Sequence, residues 1–88
     1  MTNPVRVRQI RRHVLEALSM SGNYALEESI LFGHVDDLVK PPLSFGERGV
    51  TMEFLQKGNF IRNVPDSLDP SLKQWVITEL GKNLLASL

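Results

Sequence analysis

Leu55-Gln56-Lys57-Gly58-Asn59-Phe60-Ile61, then a polar stretch, then Gln74-Trp75-Val76-Ile77-Thr78-Glu79-Leu80-Gly81, is the part of this 88-residue chain that decides its fold. Leu55 to Lys57 closes a helix, and Gly58 or Asn59 is expected to take the left-handed conformation that ends it. Phe60 to Val64 reads as a strand. Pro65-Asp66-Ser67-Leu68-Asp69-Pro70-Ser71 is rich in turn formers and gives little reason for order. Gln74 to Ile77 reads as the returning strand, with Trp75 and Ile77 on one face and Val76 on the other. Thr78 is a good N-cap for a last helix. On that helix Leu80, Leu84 and Leu88 align, with Leu85 beside them.

Three helices are predicted ahead of this stretch. The first starts at Pro4, where a missing N–H costs nothing. Val7, Ile10, Val14, Ala17 and Leu18 form its apolar stripe, and Ser21-Gly22-Asn23 ends it. The second begins near Tyr24 or Ala25 and runs to about Leu38, burying Leu26, Ile30, Leu31, Val35 and Leu38. Gly33 inside it costs about 1 kcal/mol relative to Ala. Pro41-Pro42 forces a turn. Ser44-Phe45-Gly46-Glu47 matches a capping box, so the third helix covers about residues 45–57. Met52 and Leu55 are its inward pair, flanked by Val50 and Phe54. A short strand around Leu43 would complete the sheet. The order is helix-helix-helix-strand-strand-helix, which describes a winged helix-turn-helix domain. The fold class is α+β, mostly α, with a three-helix core, a two-stranded wing and a C-terminal helix in one domain over residues 1–88.

Composition bounds the chemistry. Apolar residues make up 42%, enough for one small core, and the chain has no cysteine, so disulfides and thiolate metal sites are excluded. No run is apolar enough to span a membrane or to act as a signal peptide, so a cytoplasmic protein without a membrane partner is expected. Ten basic and ten acidic residues balance to zero, which weighs against an extended phosphate-binding surface. The charges are uneven, however. Arg6, Arg8, Arg11 and Arg12 precede every acid, and Glu16, Glu27, Glu28, Asp36 and Asp37 follow before Lys40.

The run Val76-Ile77-Thr78-Glu79-Leu80-Gly81-Lys82, with the loop from Val64 to Ser71 before it, resembles the wing and following helix of bacterial MarR- and ArsR-type regulators. Leu55 to Ile61 is similar to their Leu-x-x-x-Gly-Leu-Ile, with Asn59 where glycine usually stands. Arg11 to Leu18 and Glu28-Ser29-Ile30-Leu31 extend a resemblance to small winged-helix proteins of Mu-like prophages. The resemblance implies a DNA-binding regulator. One departure concerns the wing: MarR-type wings carry arginines just after the wing aspartate, whereas Asp69 here is followed by Pro70 and Ser71.

In a helix-turn-helix, exposed residues near the start of the second helix of the motif enter the major groove. Those in the third helix here are Ser44, Glu47, Arg48 and Thr51, with Gln56 and Lys57 further along. Arg48 suits a guanine edge, and Thr51 a phosphate or a thymine methyl. Arg62 and Lys73 are the wing's cations, set against Asp66 and Asp69. Arg8 and Arg12, with Arg6 and Arg11, suit backbone phosphates. The alternative for Arg12 is an i,i+4 pair with Glu16. The expected nucleic-acid contacts are therefore Ser44, Arg48, Thr51, Lys57, Arg62, Lys73, Arg8 and Arg12.

Other constellations carry less. His13 and His34 lack companions at metal-ligand spacing, so no metal or cofactor is expected. Asp36-Asp37 reads as a negative helix end. No serine sits in a nucleophile turn and no glycine loop cradles phosphate, so no enzyme is expected. Trp75 is assigned to the core. The leucines of the last helix serve either to dock it on its own domain or to pack across a two-fold axis in a homodimer. The preferred function is recognition of double-stranded DNA by a small, dimeric regulator of phage or prophage type, and the alternative is a protein-interaction module that has lost its nucleic-acid surface.

Overall fold

The computed structural model describes residues 3–22 and 24–88, so Met1, Thr2 and Asn23 lie outside the described residues. Its elements are α1 (Pro4–Ser21), β1 (Leu26–Glu27), α2 (Glu28–Leu38), α3 (Phe45–Lys57), β2 (Ile61–Asn63), β3 (Gln74–Ile77) and α4 (Glu79–Ser87). Asn3 caps α1, its Oδ1 accepting from the backbone N–H groups of Val5 and Arg6. Gly22 ends the helix at a φ of 64°, a conformation that favours glycine. Ile10, Val14, Leu15, Ala17 and Leu18 of α1 are buried. They meet Leu31, Phe32 and Val35 of α2, Met52 and Leu55 of α3, and Ile61, Trp75 and Ile77 of the sheet in one core.

The ribbon of β2 and β3 folds back as an antiparallel pair, Ile61 opposite Ile77, Arg62 opposite Val76 and Asn63 opposite Trp75. The third strand is not around Leu43. It is β1, which pairs antiparallel with β3 through Leu26–Trp75 and Glu27–Gln74, giving the order β1-β3-β2. Backbone pairing thus claims Leu26 and Glu27, and α2 starts at Glu28 rather than near Tyr24 or Ala25. Leu43 is buried between α2 and α3, and its N–H donates to Asp36 Oδ1 at 3.0 Å instead of to a strand.

The buried side of α2 is Leu31, Phe32 and Val35, whereas Ile30 and Leu38 of the expected stripe are exposed. On α3, Met52 and Leu55 point inward as expected, and Thr51 joins them. All three consecutive residues Trp75, Val76 and Ile77 are buried, so β3 is covered on both faces. The loop after β2 is ordered by its aspartates. Asp66 Oδ2 accepts from the N–H groups of Leu68 and Asp69, and Asp69 Oδ1 accepts from the N–H and hydroxyl of Ser71.

The junction from α3 to the ribbon and on to α4 is a tight knot. Asn59 takes the left-handed conformation at φ 60°, while Gly58 stays right-handed. The Phe60 N–H donates to the Leu55 carbonyl at 2.9 Å, and the Phe60 carbonyl accepts from the Thr78 N–H at 3.1 Å. The Thr78 hydroxyl donates to the Asn59 carbonyl at 2.6 Å and accepts from the Gly81 N–H at 3.1 Å, which caps α4. Leu84, Leu85 and Leu88 then lie partly buried against the core, while Leu80 stands exposed. Gly81 has no room for a side chain, since a Cβ there would overlap the Phe60 carbonyl oxygen and press on Ile77. Gly81→Ala is therefore expected to destabilise the domain by about 2 kcal/mol or more, read as a lowered urea midpoint at unchanged slope.

Candidate nucleic-acid interface

The head of α3 is held from both sides by ion pairs that sequence reading left unassigned. The capping box forms: the Glu47 N–H donates to Ser44 Oγ at 3.1 Å, and the Ser44 N–H donates to Glu47 Oε1 at 3.0 Å. Arg6, from the first turn of α1, donates Nε to Glu47 Oε2 at 2.7 Å and Nη2 to Glu47 Oε1 at 3.1 Å. The same Nη2 donates to the Pro41 carbonyl at 2.7 Å, so one guanidinium ties α1, the proline turn and α3 together. Its hydrogen bonds to Glu47 are the main reason that carboxyl is lowered from an ordinary 4.5 to about 2, aided by the Ser44 N–H.

Arg48 does not project outward. Its Nη2 donates to Asp36 Oδ2 at 2.6 Å, and its guanidinium lies 5.2 Å from the Phe32 ring centroid and 5.5 Å from that of Phe45. Asp36 also holds the Leu43 N–H, so this carboxylate staples the turn between α2 and α3 and fixes the arginine expected to read guanine. Thr51 is corrected more plainly. It is 4% exposed, on the inner face one turn before Leu55, and no phosphate or base can reach it there. The Ser44 hydroxyl is occupied as the helix cap.

The remaining expected contacts divide by position. Lys57 is on the open side of α3, paired at 2.8 Å with Glu53 in a largely solvated i,i+4 bridge that holds little energy. Arg12 makes the i,i+4 pair with Glu16 at 2.7 Å. Among the described residues, Arg8, Arg62 and Lys73 have no ion pair and no side-chain hydrogen bond. The register sets Arg62 beside Val76, whereas Lys73 shares the alternation of Trp75, so the two wing cations address opposite faces of the ribbon.

An open groove of about 490 Å³ runs between the start of α2, the exposed side of α3 and the ribbon. Glu28, Ser29, Phe45, Arg48, Gly49, Glu53, Gln56 and Lys73 line it, and Phe32, Met52 and Trp75 floor it. It brings Arg48 and Lys73 together, while Arg62, Arg8 and Arg12 are elsewhere. Trp75 belongs to the core as expected, and its Nε1 donates to Glu28 Oε1 at 3.2 Å. On the other side of α3, Pro4, Val7, Val50, Phe54, Leu84 and Leu88 form an apolar groove of about 540 Å³, rimmed by Arg8 and Arg11. The Arg11 guanidinium lies 3.5 Å over the Phe54 ring. Sequence reasoning gave Arg6 to backbone phosphates and Asp36 to a negative helix end, missing their pairs with Glu47 and Arg48, and it gave Phe45 no role.

Among the described residues, no group of three or more His, Asp and Glu side chains could hold a metal ion, and no helix is long and apolar enough to cross a membrane. No family model and no curated protein matches the sequence. Solved structures do. A protein of Thermoplasma acidophilum assigned to the transcriptional regulators is similar at a TM-score of 0.77 and 15% identity, over 99% of this chain and 81% of that one. A PadR-like transcriptional regulator of Bacillus cereus is similar at 0.69 and 20% identity, over 88% and 74%. The adhesin competence repressor AdcR of Streptococcus pyogenes gives 0.69 and 19% identity over 89% of this chain, which spans 50% of that repressor's length. The fold is thus the winged helix-turn-helix, and these similar solved structures are described as transcriptional regulators, one of them PadR-like, or as a repressor. The prophage resemblance draws no support from them.

Two outcomes test the clamp at the head of α3. Asp36→Ala removes the partner of Arg48 and the acceptor of the Leu43 N–H, and should cost about 1–3 kcal/mol in urea unfolding, while Asp36→Asn should cost less. The Glu47 carboxyl has a depressed pKa in the folded state, so its contribution is whole above its ordinary 4.5 and is lost as pH falls toward about 2. Across that window the urea midpoint of the wild type should fall more steeply than that of Glu47→Gln.

Proposed function

We propose that this domain binds double-stranded DNA as the reading module of a transcriptional regulator. The exposed side of α3 enters the major groove, and the ribbon lies along the flanking backbone. The observation that carries the reading is the pairing of this fold with a groove beside α3 whose ribbon wall supplies Lys73, a cation free of internal partners among the described residues. Arg62 serves phosphates from the outer face of the ribbon, Lys57 serves them at the end of α3, and Arg8 does so beside the start of α1. Arg12 is left to its pair with Glu16. A homodimer accompanies this reading, because two-fold pairing sets two reading helices one DNA turn apart. Leu80 on α4 and the neighbouring apolar groove would be covered across the two-fold axis.

The competing reading is a protein-interaction module. The observation favouring it is that Arg6, Arg48 and Lys57 are each committed to an acid of the same chain. A mobility shift with random duplex DNA at low salt separates the two. Retention should weaken with salt, and Arg62→Glu and Lys73→Glu should each weaken it further and lower the salt slope by about one. Arg12→Ala should change neither. Micromolar protein that retards no duplex at low salt would sink the DNA reading and leave the interaction module.

A further inference from the structure

The most exposed large side chain at the head of α3 is Phe45, at 88%. Burying an aromatic of this size stabilises a fold by a few kcal/mol, so leaving one in water at the start of a helix contributes nothing to folding. Its backbone is nevertheless rigid, because Ser44 and Glu47 complete the capping box on either side of it. Its ring is braced from one side by the Arg48 guanidinium, which Asp36 holds in place.

The surroundings of Phe45 are bare. A Cβ at Gly49 would meet nothing within 4 Å, and one at Gly46 only the Ser44 hydroxyl oxygen at 3.8 Å. Neither glycine has a positive φ. Each therefore costs α3 about 1 kcal/mol relative to Ala with no return inside this chain. What they do is lower the surface around one protruding ring. The apolar neighbours, Phe32 and Met52, are themselves buried, and the groove is otherwise rimmed by Glu28, Ser29, Glu53 and Lys73. A partner protein helix would need a continuous apolar stripe, which this surface lacks. A single apolar group among polar ones, such as the methyl of a thymine in the major groove, fits it.

We infer that Phe45, and not Arg48, is the specificity-determining residue of α3, reading a thymine methyl while Gly46 and Gly49 let the helix approach the base edges closely. Arg48 is then a positioning residue for the ring. The inference rests on the DNA reading above and goes beyond it by naming the base and the contact.

The test uses the full chain. A preferred duplex is selected from a random library at low salt, and each thymine in it is replaced in turn by deoxyuridine, which lacks only the methyl. The wild type should lose about three- to tenfold in affinity at one or two positions, the worth of one buried methyl group. Phe45→Ala should bind the thymine duplex as weakly as the wild type binds the uracil duplex, and should be indifferent to the methyl. Because the ring is exposed, its thermal midpoint should match the wild type, which separates a lost contact from a lost fold. Phe45→Leu should recover part of the methyl preference. If Phe45→Ala discriminates the methyl as the wild type does, or if no thymine position is sensitive in the wild type, the inference falls and the DNA reading stands. If no duplex is enriched or retarded, both fall.

Discussion

The peptide group of Phe60 is the point on which the architecture turns. Its N–H ends α3 by reaching back to Leu55, and its carbonyl receives the Thr78 N–H from the far end of the ribbon. The Thr78 hydroxyl closes the loop onto Asn59, and the bare Cα of Gly81 lets α4 lie against the same carbonyl. Four sequence signals meet there: a left-handed Asn59, a capping threonine, a glycine two residues into α4, and the aromatic between them. Because one peptide fixes the end of α3, the start of the ribbon and the start of α4, the angle between α3 and the ribbon is set by backbone hydrogen bonds. Side-chain packing is less directional, and would hold that angle less tightly.

A second set of constraints acts at the opposite end of α3. Arg6 and Asp36 are remote in sequence from the helix they hold. Arg6 ties α1 to the Glu47 cap, and Asp36 ties α2 to both Leu43 and Arg48. These pairs are partly buried, so each is worth more than a surface bridge and each strands a charge if its partner is lost. The helix is therefore pinned at its last residue by backbone and at its first turn by carboxylates. Its exposed middle is left with glycine and glutamate facing the groove.

The elements that were legible in sequence are those governed by local chemistry. Ser44 and Glu47 announced the start of α3, Thr78 that of α4, and the Trp75 segment was a strand from its first residue to its last. What failed was non-local. Leu26 and Glu27 look helical in isolation, and only their partners on β3, nearly fifty residues away, draw them into the sheet. Ile30 and Leu38 look like core in sequence, yet Leu31, Phe32 and Val35 take the side of α2 that faces α1 and the sheet. At the candidate interface the loss was greater. Thr51 was placed outside because it is polar, yet the turn that carries Leu55 inward carries Thr51 with it. Arg48 was read as free because its acid lies on another helix. Residue type shows what a side chain can contact, and only the packed structure shows what already occupies it.

The pairing of cations within the chain has a kinetic meaning. Ordinary basic domains find their targets by lingering on any duplex and sliding, a mode driven by loose lysines and arginines and weakened by salt. In a domain with balanced charge, three of whose arginines and lysines at α3 are bound to its own carboxylates, few cations are left for that general adhesion. On the DNA reading, binding would therefore weaken with ionic strength less steeply than for a strongly basic domain, the slope being set by the few cations, Arg8, Arg62 and Lys73, left without partners among the described residues.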